Sequence, residues 1–331
     1  MPVPPPSSVS RAERLAAEGR HSEAVSLLDR MVDRGDPHAL FTLAMWRLGG
    51  RYLPFDLGQA RDLFQRSGEA GRRDAAQIHV NLLASGTGGP SDWPEAMARL
   101  GRLAATEPRC RAQCRLIADM TLTPDGAPSP VSDGGELSIS PRVTLFRALF
   151  TAAECDYLAR AAEPMLKPSV VVDERDGRQR PHPIRTSDGA TFAWLIADPA
   201  IHALNRRIAA ASGTRVEQGE PLQVLRYRPG QQYRNHYDAI AGLDNQRALT
   251  MLVYLNDAYQ GGETRFVRTG LAVRGRKGDA LLFRNILPDG RPDPMSEHAG
   301  LPVVSGTKLI ASCWIRERPF APPPPARAAP G

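Results

Sequence analysis

The second half of the chain holds two histidines, an aspartate and a lysine whose types and order suit a metal site beside an anion site. His236 and Asp238 lie in residues 222–238, where β-branched, aromatic and polar residues are mixed and the Pro229-Gly230 pair predicts a turn. Residues two apart on a strand share a face, so these two side chains should lie together. His298 is the best second imidazole, because the other histidines precede the β-rich region or lie in predicted helix or loop (His21, His38, His79, His182 and His202).

Two imidazoles and one carboxylate are the ligand set of non-haem Fe(II) oxygenases, which leave positions open for a bidentate cosubstrate and O2. A His-x-Asp pair alone is a weak signal, but Lys308 adds to it. Residues 303–311 predict a turn and then a buried strand, where an unpaired ammonium group would be costly or would lose its proton. A lysine buried there needs an anion, and the distal carboxylate of 2-oxoglutarate would serve, with Tyr227 as a second donor. The alternative is a surface lysine with a snorkelling side chain.

From about residue 145 to residue 319 the chain resembles the prolyl 4-hydroxylase type of Fe(II)/2-oxoglutarate dioxygenase. Several short elements that carry the resemblance occur in the same order. They are Arg-Thr-Ser-Asp-Gly at 185–189, Leu-Arg-Tyr-Arg-Pro-Gly at 225–230, His-Tyr-Asp at 236–238, Leu-Val-Tyr-Leu-Asn at 252–256, Gly-Gly-Glu-Thr at 261–264, Lys-Gly-Asp-Ala-Leu-Leu-Phe at 277–283 and Ser-Glu-His-Ala-Gly at 296–300. So many elements in order are hard to obtain by chance.

The resemblance implies a role for each of the reactive residues. His236, Asp238 and His298 would bind iron, and Lys308 would bind the C5 carboxylate of 2-oxoglutarate. Tyr227 matches the tyrosine that donates a hydrogen bond to the same carboxylate. These residues form the expected catalytic and cosubstrate-binding set, with Fe(II), 2-oxoglutarate and O2 as the reacting partners and ascorbate as the reductant.

Two more residues are expected on the substrate side of the site. Arg185 belongs to a segment that lines the mouth of the site in the family, and Trp314, six residues after Lys308, matches an aromatic position near the substrate. Each has a structural alternative. Arg185 could pair with a carboxylate, since arginine often fills that role, and a tryptophan on the last core strand more often serves packing, since its ring buries a large area.

The fold class implied by the resemblance is α+β and multidomain, with a double-stranded β-helix, or jelly roll, flanked by helices. Short strand-like runs separated by turn residues support it (249–255, 262–267 and 280–284). Residues 151–154 form a capping box that should begin a helix ending near Ala162. Asp198 should begin a second helix that buries Ile201, Leu204 and Ile208 on one face. Residues 172–180 and 285–295 are predicted lids, with ordinary solvated loops as the alternative.

The first 120 residues show a 36-residue repeat. Matching residues recur at this step in three sets: Ala24, Ala60 and Ala96; Leu28, Phe64 and Leu100; Ala39 and Ala75. A period of this length predicts stacked helix pairs that resemble Sel1-like, tetratricopeptide-type repeats. Such arrays bind peptides or proteins, so the repeats could recruit a substrate or partner. A packing or dimerisation role is the equally weighted alternative.

These features divide the chain into five segments. A disordered N-terminus spans residues 1–10, and helical repeats span 11–120. A linker with little helix or strand potential covers 121–140, because it is rich in Pro, Gly, Ser and Asp. The dioxygenase domain spans 141–320, and a proline-rich disordered tail covers 321–331.

Bulk composition gives no support to several classes of protein. The 331-residue chain carries a formal net charge of +6 from dispersed arginines, with no long basic run, so nucleic-acid binding is not indicated. No run of about 18 apolar residues predicts a membrane span, and no secretory signal is evident. The four cysteines show no zinc-type spacing, which favours reduced thiols in a cytoplasmic protein.

The sequence therefore predicts an Fe(II)- and 2-oxoglutarate-dependent dioxygenase. It would hydroxylate a peptidyl residue, proline first among the choices, in a protein or peptide substrate and release succinate and CO2. One alternative is the same reaction on a free amino acid or small metabolite. Another is a repeat-based interaction protein with an inactive oxygenase domain, against which the complete ligand set argues.

Overall fold

The computed structural model describes residues 8–320 except 173–178, 182–183 and 241, and it describes no side chains in 171–183. Four sequence-based expectations fall wholly or mainly outside the described residues. They concern the N-terminal segment before Ser8, the proline-rich tail 321–331, the centre of the predicted lid at 172–180, and the exclusion of His182 as a ligand.

Helices fill the N-terminal part of the described chain. The first of them begins at Ser8, so the predicted disordered stretch 1–10 was too long, because Ala12, Leu15 and Ala16 give this helix a buried face. The helices are α1 Ser8–Ala17, α2 His21–Val32, α3 Pro37–Gly49, α4 Leu57–Glu69, α5 Arg73–Ser85, α6 Trp93–Ala104 and α7 Pro108–Ala118.

The 36-residue period places equivalent residues at equivalent helix positions. Its first two sets fall on α2, α4 and α6, and its third set falls on α3 and α5. All eight of these residues are fully buried. Gly68 of α4 shows why small residues are needed, since a Cβ there would lie 2.8 Å from the Cα of Ala76. The helical part of the prediction is confirmed, and the Sel1-like assignment stays a prediction.

The segment predicted as a linker, 121–140, is more ordered than expected. Leu122 and Pro128 form a β-bridge, Gly126 lies against the Trp93 ring, and Gly135–Ile139 forms strand β1. The prediction of little strand potential was wrong at β1 because this edge strand is mostly exposed and shows no buried period. Its backbone pairing with the next strand defines it.

The remaining strands follow a jelly-roll arrangement, as the sequence resemblance implied. They are β2 Arg142–Phe146, β3 Lys167–Pro168, β4 Val170–Val172, β5 Gln179–Pro181, β6 Asp188–Thr191, β7 Gln223–Tyr227, β8 Tyr233–His236, β9 Arg247–Tyr254, β10 Tyr259–Gly261, β11 Thr264–Phe266, β12 Ala272–Val273, β13 Ala280–Arg284, β14 His298–Gly300, β15 Val303–Gly306 and β16 Lys308–Arg316. The run predicted at 262–267 is shorter at its start because Gly261 and Gly262 adopt positive φ.

Two sheets form the body of the oxygenase region. The major sheet has eight strands in the order β1-β2-β13-β9-β16-β7-β6-β3, and the minor sheet has the order β12-β11-β14-β8. Two-stranded ribbons β4-β5 and β10-β15 accompany them. An apolar cluster that includes Leu225, Phe266, Phe283 and Ile310 draws side chains from both sheets, so it fills the space between them.

Two helices cover the outer face of the major sheet. Helix α8, Ala152–Ala162, begins with the predicted capping box at Thr151, and α9, Pro199–Ser212, begins at Asp198, whose carboxylate accepts from Ile201 N–H. The predicted apolar face of α9 is buried. Its residues share a cluster with outward-facing strand residues such as Met251 and Val253.

The helical repeats pack directly on the oxygenase region. Leu83, Trp93 and Leu100 of the repeats belong to the same buried cluster as the residues of α9. Asn81, almost fully buried on α5, donates a 2.8 Å hydrogen bond to the Leu195 carbonyl in the loop between β6 and α9. The two regions therefore share one core at this junction.

The segment predicted as a lid at 285–295 contains a β-bridge between Ile286 and Pro292 and a short 3-10 helix at Pro294–Ser296.

Among the helices of the described residues, none is both long and apolar enough to cross a membrane.

Candidate metal centre and cosubstrate site

Strand pairing brings the two predicted iron-binding histidines together. His236, the last residue of β8, is the cross-strand partner of His298, the first residue of β14. Opposite residues on paired strands have close Cβ atoms, so the two imidazoles meet, with ring centroids 4.2 Å apart. The pairing explains how two histidines 62 positions apart reach one site.

Asp238 completes a compact cluster of three possible ligands. It lies just beyond the end of β8, so it shares the site with His236 without sharing its strand. Asp238 Oδ1 lies 3.6 Å from His236 Nε2, and Asp238 Oδ2 lies 3.7 Å from His298 Nε2. One ligand atom from each residue falls within 4.8 Å of the others. All three side chains are at most 7% exposed.

Backbone carbonyls select the imidazole nitrogens that face the cluster. His236 Nδ1–H donates to the Arg234 carbonyl at 2.7 Å, and His298 Nδ1–H donates to the Ser296 carbonyl at 2.9 Å. A carbonyl only accepts, so the proton of each neutral ring sits on Nδ1 and Nε2 keeps its lone pair. Both Nε2 atoms are therefore prepared as metal ligands.

The surroundings of His236 and Asp238 favour the protonation states in which these side chains can bind a metal, a neutral imidazole and an ionised carboxylate. Burial, followed by the neighbouring His298, lowers the pKa of His236 to about 4, so its imidazole is neutral near pH 7. Burial by itself would raise the pKa of Asp238. The two imidazoles and a hydrogen bond from Thr250 outweigh this effect, so the pKa is held below its ordinary value and the carboxylate is ionised.

Aromatic rings enclose the cluster. Tyr233 stacks on His236 with centroids 3.4 Å apart and planes 13° from parallel. Phe283 meets the His298 ring edge-on at 4.7 Å, and Phe266 lies 5.9 Å from the same ring. Both phenylalanines are fully buried. These contacts fix the imidazole planes and give the metal site an apolar wall.

Lys308 is buried, as predicted, and lies opposite Tyr227 in the pairing of β16 with β7. Its Nζ donates a 2.7 Å hydrogen bond to the Gly262 carbonyl and lies 5.5 Å from the Tyr227 ring centre. Burial lowers the pKa of Lys308 to about 8, with Glu263 opposing the shift. Within the described residues, no carboxylate forms an ion pair with this ammonium group, so its charge can pair with an anionic ligand.

The structure adds one residue to this anion site that sequence reasoning did not select. The Tyr254 ring centre lies 5.9 Å from Lys308 Nζ. The ring is fully buried, and its hydroxyl group donates a 3.2 Å hydrogen bond to the Val273 carbonyl. Tyr254 falls inside the quoted element 252–256, but only the folded structure places it beside the lysine.

Arg185 reaches the metal cluster through Tyr233. The two residues form a β-bridge, and the guanidinium lies 5.6 Å from the Tyr233 ring centre, on which His236 also stacks. The neighbouring Ser187 is buried, and the pairing of β6 with β7 places the next residue, Asp188, opposite Arg226, which precedes Tyr227. The segment that carries Arg185 thus lies near both the metal cluster and Tyr227.

Trp314 also lies next to the cluster. It is the cross-strand partner of Thr250. The indole N–H lies close enough to Asp238 to help lower the pKa of that carboxyl group, although the indole nitrogen forms no hydrogen bond with the described residues. Arg247 stacks 3.7 Å from the ring centre. The ring is 8% exposed, so it packs in the core and touches the surroundings of the site at the same time.

The residues present fit both an iron ion and a dicarboxylate. Two imidazoles that each direct Nε2 at the cluster converge with one carboxylate, as a facial three-ligand site requires. Lys308 and the two histidines border the same apolar cluster, since the lysine contacts Tyr227 and Tyr254 and His298 contacts Phe266 and Phe283. The metal ligands and the lysine therefore contact the same apolar cluster, which places a metal site and a carboxylate site in one part of the molecule.

Comparison with known proteins agrees with this chemistry. The family described as the 2OG-Fe(II) oxygenase superfamily matches residues 222–316, which include the metal cluster and Lys308. Prolyl 4-hydroxylase 1 of Arabidopsis thaliana is 38% identical over 201 residues, which cover 55% of this chain and 71% of that protein. Prolyl 4-hydroxylase 5 of the same plant is 36% identical over 208 residues, covering 56% and 71%.

A solved structure is also similar. The viral collagen prolyl hydroxylase of Paramecium Bursaria Chlorella virus-1, in its 2OG complex, is 29% identical with a TM-score of 0.43, covering 53% of this chain and 95% of that one. The sequence matches extend over more than two thirds of the plant enzymes. The chain belongs to the prolyl 4-hydroxylase family of 2OG-Fe(II) oxygenases, which use Fe(II), 2-oxoglutarate and O2.

Proposed function

We propose that this protein hydroxylates proline in a peptide or protein substrate. Its Fe(II) would be held by His236, Asp238 and His298, and the distal carboxylate of 2-oxoglutarate by Lys308 and Tyr227. The observation that carries the proposal is a buried three-ligand cluster and a buried lysine, with no ion-paired carboxylate among the described residues, on the same apolar cluster. When bound, Fe(II) with 2-oxoglutarate and O2 supplies an oxidation that places one oxygen atom in a C–H bond, while 2-oxoglutarate becomes succinate and CO2.

The protein residues contribute orientation and exclusion of water. The Arg234 and Ser296 carbonyls hold both imidazoles with Nε2 directed into the cluster. Lys308 supplies a positive charge that a carboxylate can neutralise, because its own surroundings leave it poorly stabilised. The buried phenylalanine wall keeps competing water away from the reacting groups.

The substrate assignment draws on the names of the relatives, which are prolyl 4-hydroxylases. On the protein side we propose that Arg185 contacts the substrate, since its segment adjoins both Tyr233 and Tyr227. We propose a contact from Trp314 as well, on the Asp238 side of the site. The helical repeats would recruit the protein substrate, ascorbate would act as reductant, and the protein would work in the cytoplasm.

The iron assignment can be tested by visible spectroscopy under anaerobic conditions. The intact protein with Fe(II) should develop a weak charge-transfer band when 2-oxoglutarate is added. His298→Ala should lose the band, because one of three protein ligands is gone, and His38→Ala should keep it, because His38 is exposed on α3. Absence of the band in the intact protein would refute the assignment.

The substrate proposal needs a separate measurement. Succinate release by the full chain should rise with proline-containing peptides and remain near background with free proline and a panel of metabolites. Mass spectrometry should locate one added oxygen atom on a peptidyl proline. Stimulation by free proline alone would favour the metabolite alternative, with the iron chemistry intact.

A further inference from the structure

Asp238 receives a hydrogen bond from the opposite sheet. Thr250, on β9 of the major sheet, donates from Oγ1 to Asp238 Oδ2 at 2.7 Å. Asn285, which follows β13, donates from Nδ2 to the same Thr250 Oγ1 at 2.8 Å. Thr250 is 1% exposed and Asn285 is fully buried. Asn285, Thr250 and Asp238 thus form a hydrogen-bonded chain that connects the metal cluster with two buried polar side chains.

The chemistry of the two ends sets the direction of every hydrogen bond in this line. An ionised carboxylate only accepts, so the single hydroxyl proton of Thr250 must point to Asp238. The Thr250 oxygen is then left as an acceptor, and Asn285 must present its NH2 group to it. The amide orientation is therefore fixed by the charge on Asp238.

This orientation leaves a polar atom unsatisfied. Asn285 Oδ1 is buried and has no hydrogen-bond partner within the described residues. An unpaired buried carbonyl group is unfavourable, and an apolar side chain of similar size would avoid it. Packing alone does not account for an amide at this position, whereas its donor NH2 group accounts for it directly.

The two oxygens of Asp238 are thereby made unequal. Oδ2 accepts the 2.7 Å hydrogen bond from Thr250, while Oδ1 lies 3.6 Å from His236 Nε2. Thr250 thus anchors the side chain at Oδ2 and leaves Oδ1 as the oxygen that can bind a metal. Groups that hold a ligand in this way commonly change metal affinity 10- to 100-fold, roughly, when they are removed.

We propose that Thr250 and Asn285 are positioning residues that hold Asp238 with Oδ1 as the metal ligand, Asn285 acting through Thr250. The proposal rests on the proposed function in assigning Asp238 to the metal. It adds that Thr250 of the major sheet and Asn285, which follows β13, tune metal binding without being ligands themselves.

The test is a double-mutant cycle on anaerobic Fe(II) affinity, measured by equilibrium dialysis with metal analysis. Thr250→Val, which keeps the shape and removes the hydroxyl group, should weaken Fe(II) binding at least about tenfold. Asn285→Leu should weaken it less, because the Thr250 hydroxyl remains. In the double variant the effect of Asn285→Leu should disappear, since Asn285 acts only through that hydroxyl.

Control variants separate positioning from folding. Thr250→Ser keeps the hydroxyl group and should bind Fe(II) nearly as tightly as the wild type; a loss of affinity in this variant equal to that in Thr250→Val would show that packing, not the hydrogen bond, is responsible, and would overturn the proposal. Thr144→Val removes a hydroxyl group from β2, two strands away in the major sheet, and should leave affinity unchanged. Unchanged affinity in Thr250→Val, or independent and additive effects of the two substitutions, would overturn the proposal. Wild-type protein that fails to bind Fe(II) would instead refute the proposed function.

Discussion

Lys308→Met should stabilise the protein without cosubstrate while weakening cosubstrate binding. The fall in the pKa of Lys308 from 10.5 to about 8 means that the fold favours the neutral amine. Holding it protonated at pH 7 therefore costs about 3 kcal/mol. Methionine has a similar shape and no charge, but it forfeits the hydrogen bond to Gly262, worth about 1 kcal/mol. The free energy of unfolding should rise by about 2 kcal/mol.

The sign of this effect can be checked with pH. Because the folded-state pKa is lowered, the destabilisation is complete below about pH 8 and fades as pH rises toward the unfolded value of 10.5. The advantage of Lys308→Met should shrink over the same interval. In the wild type, 2-oxoglutarate affinity should be nearly constant below pH 8 and fall above it, because only the ammonium form pairs with a carboxylate.

Two measurements on the same samples test this reasoning. Urea unfolding without cosubstrate gives the stability change, and anaerobic titration of the visible band gives 2-oxoglutarate affinity, which should fall about 10- to 100-fold in Lys308→Met. Lys277→Met is the control, since Lys277 is more exposed and already paired with Asp156 at 2.6 Å. A Lys308→Met variant that is less stable than wild type, or that binds 2-oxoglutarate normally, would refute the assignment.

Two other substitutions test the supporting structure. Glu220 accepts a hydrogen bond from Arg247 at 2.6 Å and lies 2.6 Å from Arg316 Nε, and all three side chains are largely buried. Glu220→Gln should lower the free energy of unfolding by about 3 kcal/mol in urea titrations, because two buried cations lose their counter-charge. Asp289→Asn, in an exposed pair with Arg291, is the matched control and should leave the free energy of unfolding close to that of the wild type. Phe64→Ala, at a fully buried repeat position, should cost about 3–5 kcal/mol in the same assay, whereas Phe55→Ala, at a 43% exposed ring, should be nearly neutral.

The sequence located the reactive side chains of the site because their chemistry is unusual. A histidine and a carboxylate two positions apart, a second histidine and a lysine in an apolar run are each visible along the chain. Strand alternation then suggested a shared face. What sequence could not give was the pairing of His236 with His298, since cross-strand register depends on long-range contacts.

The same limit explains the residues that were missed. Thr250 and Asn285 are ordinary polar residues, separated by 12 and 47 positions from Asp238. Their spacing has no signature, and their role follows only from the hydrogen-bonding order of the folded sheets. Strand β1 was not predicted for another reason. It is mostly exposed, so it lacks the alternation of buried and exposed residues on which strand prediction depends.

The distribution of the site over both sheets links core packing to cosubstrate binding. The Tyr227–Lys308 pair belongs to the major sheet and the His236–His298 pair to the minor sheet. Phe266 and Phe283 pack edge-on with centroids 5.2 Å apart, and both contact His298 within the cluster that joins the sheets. Because packed sheets keep the spacing that their interleaved side chains allow, these phenylalanines help to set the distance between the sheet that carries Lys308 and the sheet that carries the two histidines. A cosubstrate that reaches from Lys308 to the metal would then be selected by its length as well as by its charge.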